Sequence, residues 1–167
     1  EVGGAVVLAP EGTRSFVANS NETPNTRVIG LRIGRNGKIG GGAAISAASP
    51  VFDSCEFVGC RSETGGGALV EGGGPTFIAC DFIRCVAIST CCGYDSGGAL
   101  RNLGGNTVLE ACAFVDCEGV GNAHSIMQEG GSMMIRDSVF VTDIVGGPTQ
   151  VYNAYGSLVI EDSTFDG

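Results

Sequence analysis

GGGALVEGGGPTFIACDFIRC, residues 65–85, decides the fold. It is one complete unit: a Gly-rich opening with a small-then-aliphatic pair, a Gly-Pro corner, and two short apolar runs each closed by a cysteine. The opening returns as GGAAIS from Gly41 and GGALRN from Gly97. The second phrase returns as SPVFDSCEFVGC, TVLEACAFVDC, MMIRDSVFVTD and LVIEDSTFDG, and the set aligns on Phe57, Phe82, Phe114, Phe140 and Phe165. Successive phenylalanines lie 25, 32, 26 and 25 residues apart, and the long gap holds an insertion, VAISTCCGYDS, with Cys91 and Cys92.

A period near 25 residues is that of a solenoid, whose units bury apolar surface only against their neighbours. Short apolar runs bounded by Gly, Pro, Asn, Asp or Ser specify brief strands and tight corners, and no long window carries the 3.6-residue period of a helical repeat. The sequence therefore predicts an all-β chain wound as a right-handed parallel β-helix of about six to seven rungs. One domain spans 1–167, with 1–40 as irregular first coils and 41–167 as regular repeats.

In such a coil equivalent positions stack about 4.8 Å apart, so each alignment column becomes a ladder. The predicted inward columns are Ile45, Leu69, Leu100, Ile126, Val151; then Phe52, Phe77, Leu109, Ile135, Ile160; then the core stack of five phenylalanines. Glu71, Asn102, Gln128 and Asn153 form a predicted polar ladder at a corner, where it satisfies turn backbone.

The GGA-plus-aliphatic openings, followed by a Phe-centred phrase, resemble the repeats of the chlamydial polymorphic outer membrane proteins and related β-helical surface proteins. GGAL at 66–69 and 97–100, GGAA at 41–44 and GGAV at 3–6 carry the likeness, which covers most of 41–167. Cys60, Cys85, Cys117 and then Asp143 stand where that family's repeat has Asn. The resemblance implies the fold, a surface location and an adhesive or structural role, and it brings no catalytic residues.

Cys55, Cys80 and Cys112 form one column and Cys60, Cys85 and Cys117 a second. A disulfide needs Cα atoms about 4.4–6.8 Å apart, which neighbours in adjacent rungs meet and an extended pair within one rung does not. Cys55–Cys80 and Cys60–Cys85 are the preferred bridges. Cys112 and Cys117 are left to pair with Cys91 or Cys92 or to stay thiols, and spacing leaves that connectivity open. A metal site or a reactive thiol is the weaker reading, because no His cluster supports either. Eight cysteines beside one histidine favour an oxidising compartment. With Asn21-Glu22-Thr23, a glycosylation sequon followed by Pro24, they point to a secreted or cell-surface protein.

The net charge of −9 comes from acids scattered singly, so no basic stripe exists to neutralise phosphates, and nucleic acid is not an expected partner. No run approaches the roughly 20 apolar residues that span a bilayer, so membrane insertion is not expected. No cofactor is implied. The best carboxylate pair is Asp137 and Asp162, which share a column at about the 5–5.5 Å spacing of retaining glycosidases. Ser54 shares that column too, and the position suits a turn residue. His124, following Asn122-Ala123, reads as a surface residue at a turn. The sequence thus predicts no enzyme.

The chain opens on EVGGAVV, with no initiator Met, and closes on STFDG just after a core phenylalanine. Tail followed by head reads in phase, and Arg27, Arg32, Arg35 and Lys38 face an otherwise acidic chain. These features predict a structural subunit that stacks head-to-tail on copies of itself into a surface filament or sheath. Two alternatives stand beside it: an adhesive, passenger-like segment of a larger surface protein, with glycans as candidate ligands, and a polysaccharide-active β-helix enzyme.

Overall fold

A computed structural model of the protein describes residues 5–35, 41–88, 96–119, 121, 123–143 and 149–166. The described regular elements are all β-strands, and their pairing is parallel throughout. They build a β-solenoid of three long sheets around one apolar core. The phenylalanine sheet stacks Val6–Ala9, Arg32–Arg35, Glu56–Val58, Asp81–Ile83, Ala113–Val115, Val139–Val141 and Thr164–Asp166. The glycine sheet stacks Arg14–Ala18, Gly41–Ile45, Ala68–Val70, Leu100–Asn102, Ala123–Gln128 and Thr149–Asn153. The third sheet stacks Arg27–Ile29, Val51–Asp53, Thr76–Ile78, Asn106–Glu110, Ser132–Arg136 and Ser157–Glu161. Every coil visits the three in that order.

About five regular turns result, slightly fewer than the six to seven expected. They begin at Arg32, Glu56, Asp81, Ala113 and Val139. The first coil before them carries Val7 and Val28 where later coils place larger side chains, and Thr164–Asp166 only begins another turn. The stretch before Gly41 matches the repeat motifs poorly, yet it pairs in register. Val7 lies over Ile33 and Ile33 over Phe57, because a ladder requires only an inward apolar residue, whatever the surrounding motif.

Strands of three residues form here because each presents one inward side chain and is closed by a corner. In Glu56–Val58, Asp81–Ile83 and Ala113–Val115 only the central phenylalanine is fully buried. Phe57, Phe82, Phe114, Phe140 and Phe165 stack as expected, with ring planes 3–5° apart. The column Phe52, Phe77, Leu109, Ile135, Ile160 also lies in register as expected. Its two rings meet the phenylalanine stack edge-on, at 5.6–6.0 Å between centroids, so the stacks interlock.

The aliphatic column on the glycine sheet is corrected. Leu100, Ile126 and Val151 are in register, but the residues below them are Ala43 and Ala68. Ile45 pairs instead with Val70, and Leu69 with Ala44 and Arg101 on the outer face. The polar ladder likewise continues from Asn102 to Val70; Glu71 is exposed. A slip of one residue exchanges the two faces of a strand, and the GGAL at 97–100 sits one residue out of register with that at 66–69.

The glycine that ends each opening pair serves close approach. A Cβ on Gly67 would lie 2.6 Å from both the Ala99 carbonyl oxygen and Cδ1 of Phe82, so the ring can approach the preceding coil's backbone this closely only over glycine.

The corner entering the phenylalanine sheet uses a left-handed residue in every coil: Gly30, then Ser54, Ala79, Ala111, Asp137 and Asp162. The amide of each of the first five donates to a carbonyl of the following coil, which ties the corner into the stack. Ala79 adopts φ 48° and is exposed. An alanine there bears roughly 1–2 kcal/mol of steric cost that glycine avoids. Ala79→Gly should therefore stabilise the fold by about 0.5–1 kcal/mol, net of glycine's greater unfolded-state entropy. Urea unfolding checks the sign; a loss of stability would mean that the corner is not held in this conformation.

Candidate functional site

The buried columns surface where the stack ends. Phe52, Phe57, Phe77, Phe82, Phe114 and Phe140 have no accessible surface, whereas Ile160 is 40% and Phe165 47% exposed at the ends of the same ladders. Phe165 still stacks on Phe140 at 4.5 Å, so its ring is already oriented for a further layer. Val159 and Tyr155 are exposed beside them. Thr149–Asn153, Ser157–Glu161 and Thr164–Asp166 are the outermost strands of their three sheets among the described residues, and each pairs along one edge there. An unpaired edge is a template for another strand.

The opposite face is better closed. Val28 is buried in the first coil, and Phe16 packs edge-on against Phe52 at 5.2 Å. Phe16 sits over Ala43, so a large ring covers the small residues of that column. Arg14, pushed down to about 10 by burial, is fixed by four hydrogen bonds. Its guanidinium donates to the carbonyls of Ala43, Gly65 and Thr64 and to the Ser62 hydroxyl at 2.6–2.9 Å.

One feature of the predicted joint is corrected. GGAV at 3–6 read as the opening of a glycine-sheet strand, but Val6–Ala9 belongs to the phenylalanine sheet. Gly3, like Lys38, lies outside the described residues. Tail followed directly by head would place two phenylalanine-sheet strands in succession, with neither of the other sheets between them.

The cysteine columns are present but they are not staples. Cys55, Cys60, Cys80, Cys85, Cys112 and Cys117 are buried free thiols, so the bridges Cys55–Cys80 and Cys60–Cys85 are not formed. In-register parallel strands hold equivalent side chains about 4.8 Å apart and pointing the same way, while a disulfide needs Cβ atoms about 3.5–4.5 Å apart. The thiols act as corner donors instead. Cys80 Sγ lies 3.3 Å from the Ile78 carbonyl and 3.5 Å from that of Phe52 in the coil before; Cys112 does the same with Glu110 and Phe77. Ser138 and Ser163 continue the first column, their hydroxyls donating to the Arg136 and Glu161 carbonyls at 2.8 Å. Cys91 and Cys92 lie outside the described residues.

Burial pushes the Cys85 thiol up, and pushes Cys112 up from 9.0 to about 11. Cys80 is raised by its hydrogen bond with Cys55 and then by burial. A folded pKa above the unfolded one favours the folded state below the unfolded value and loses that advantage as pH rises through the folded value. Under reducing conditions the melting temperature should thus fall between about pH 9 and pH 11, and fall less in Cys112→Ser. Alkylation at pH 8 should leave these six thiols unlabelled until denaturant is added. Ready labelling of the native protein would contradict their placement.

Asp137 and Asp162 are exposed corner residues in the left-handed conformation, with Ser54 in the same column. His124 is corrected from a surface turn residue to a buried one. A register shift between Ala123 and Ile126 draws it into a strand, where neither ring nitrogen has a hydrogen-bond partner and burial holds its pKa below the ordinary value. Asn122 lies outside the described residues. Among the described residues no three His, Cys, Asp or Glu side chains converge as a metal ion would require. Asn21 is exposed in the loop of the first coil.

The polar ladder proves more deeply placed than a corner requires. Asn102 and Gln128 have no accessible surface. The Asn102 amide donates to Gln128 Oε1 at 2.7 Å and to the Gly105 carbonyl at 2.9 Å, and its oxygen accepts from the Gly105 amide at 2.7 Å. On the outer face Arg101 and Glu129 pair bidentately at 2.8 and 3.0 Å.

No protein-family model, no curated protein and no solved structure matches the chain. The likeness to the chlamydial repeats therefore rests on the short motifs alone.

Proposed function

We propose that the protein is a non-catalytic structural rod of the cell exterior, which lengthens by adding a second copy of itself to the open face of its last coil. One observation supports the reading: ladders fully buried along the stack reach exposed Ile160 and Phe165 in the last described coil, on strands that pair along one edge among the described residues. Apolar surface and backbone left this way favour further stacking over solvation.

Charge supports a copy of the same chain as the occupant. No Lys or Arg follows Arg136, while Asp137, Asp143, Glu161, Asp162 and Asp166 do. Residues 1–55 carry Arg14, Arg27, Arg32, Arg35 and Lys38 against Glu1, Glu11, Glu22 and Asp53, and so lack the acidic excess of the last coils. An acidic tail is repelled less by this near-neutral head than by a second acidic tail, a preference that salt weakens. The exposed sequon at Asn21 supports an exterior location; the cysteines, being free, no longer do.

Sedimentation and electron microscopy of the purified protein at low and high salt test the reading. The expected result is a concentration-dependent series of rods at low salt, shortened by salt and abolished by Phe165→Asp. Single copies at high concentration and low salt would overturn it.

A further inference from the structure

One column of the glycine sheet is almost empty of side chains. Arg14 lies over Gly41, Gly41 over Gly66, Gly66 over Gly98 and Gly98 over His124. The glycines are required, because the backbone at the corner runs against them. A Cβ on Gly66 would lie 2.5 Å from the Val86 carbonyl oxygen, and one on Gly98 2.5 Å from that of Glu118. His124 is the first residue after Arg14 to place a side chain in this column. Arg14 gives its guanidinium four oxygen partners. His124 is 5% exposed, and neither Nδ1 nor Nε2 of its ring has a partner.

The strand around that ring is fastened unevenly. Toward the preceding coil, the His124 and Ser125 carbonyls accept from the amides of Gly98 and Ala99 at 2.7 and 3.0 Å. Toward the following coil, Ala123 pairs with Thr149 and Ile126 with Val151, so His124 and Ser125 stand opposite the single Gln150. Such a bulge interrupts the ladder. The Ser125 hydroxyl spans it, donating to Gln150 Oε1 at 2.7 Å.

We infer that His124 is an acid-operated latch on this coil: neutral, the ring seals the start of Ala123–Gln128 against the preceding coil; protonated, it turns out to water at the bulge and parts that strand from Thr149–Asn153. The inference does not depend on how copies of the chain meet.

An imidazolium in this place is charged, buried and unpaired, which costs far more than a neutral ring without partners. Among the described residues little compensates. Ala123–Gln128 carries no other ionisable group. In the preceding coil Glu118 is the acid at the corner, but it is exposed, and burial outweighs its attraction and holds the imidazole below its ordinary value of 6.5. Arg101 pairs with Met127, three columns on, and is bound bidentately by Glu129. In the following coil Thr149 and Gln150 are uncharged, Tyr152 also pairs with Met127, and Asp143 is exposed at the corner. Above about pH 6.5 the open and closed forms are both neutral and the latch is shut. Below it the open form binds a proton that the closed form does not, so opening grows by up to about tenfold per pH unit until the closed form's own value is reached.

Two measurements on the intact chain test the latch. The chain holds one histidine, so its ring gives a single NMR titration, expected to have its midpoint below 6.5. Hydrogen exchange at pH 7.5 and pH 5.5, corrected for the intrinsic rate, should show protection in Ala123–Gln128 and Thr149–Asn153 falling at least about fivefold at the lower pH. Protection in Glu56–Val58 and Asp81–Ile83 should hold. His124→Leu, which fills the same station with an apolar side chain, should remove the fall. A ring that titrates at 6.5 or above, protection that holds at pH 5.5, or an equal fall in His124→Leu would each overturn the latch. If that variant does not fold, the ring titration and the exchange of the parent chain decide between the same outcomes.

Discussion

Phe82→Ala is expected to lower the stability of the fold by about 3–5 kcal/mol, the range found for a fully buried phenylalanine whose cavity cannot collapse. Collapse is prevented here by the strands themselves. Phe82 stands between Phe57 at 4.6 Å and Phe114 at 5.1 Å, with Phe77 edge-on at 5.6 Å, and parallel pairing holds those three at fixed heights. Each ring pair adds about 0.5–1.5 kcal/mol beyond the area it covers, so three are weakened at once. Phe165→Ala in the free molecule removes one such pair and a half-exposed ring, and should cost only about 1 kcal/mol. Equilibrium urea unfolding of both variants reads the difference. Equal losses would mean that the stack contributes no more in the middle than at its end.

Asn102→Ala should cost about 3 kcal/mol, although it removes only one small polar group. Truncation leaves Gln128 Oε1 without its donor and the Gly105 amide without its acceptor beneath the surface, while the Gly105 carbonyl keeps the Ser132 amide at 3.1 Å. A buried polar group deprived of its partner costs about 1–3 kcal/mol, and partial relaxation keeps the total below the sum. The control is Asn153→Ala in the same column. That residue is exposed and its amide lies 3.4 Å from the Gly156 carbonyl, so the change should be within about 0.5 kcal/mol. If Asn102→Ala unfolds at the same urea concentration as the parent, the amide ladder is not a structural necessity.

The parts of this fold legible in the sequence are those where the spacing between columns is constant. Phe52 to Phe57 and Phe77 to Phe82 span the same short phrase, so the third sheet and the phenylalanine sheet aligned without error. The glycine sheet did not. Its corners differ in length between coils, and a motif of two glycines and a small residue matches itself equally well after a slip of one. What separates the registers is the burial of Val70 against the partial exposure of Leu69, which no local motif encodes.

The cysteines misled for a different reason. Cα spacing permits a vertical bridge, while the common direction of stacked side chains forbids it. Ser138 and Ser163, in the same column, were the available sign that the position needs a small hydrogen-bond donor. The place of Val6–Ala9 was also readable by counting: Ile33 precedes Phe57 by 24 residues and Val7 precedes Ile33 by 26. The GGAV motif at 3–6 points to a different sheet from the one that this period gives. His124 was out of reach, because a bulge in a strand depends on the coils above and below it.

The direction of the backbone hydrogen bonds sets how such a rod bears load. They run from coil to coil, along the long axis, so pulling on the two ends places them in tension one layer at a time instead of shearing a whole sheet together. Unravelling should proceed from an end in discrete steps. Phe57 and Phe82 are stacked partners 25 residues apart, so opening one layer releases roughly 80 Å of extended chain. The layer holding the insertion would give a longer step than the rest, a landmark by which the position of the break along the molecule could be recognised in a force trace.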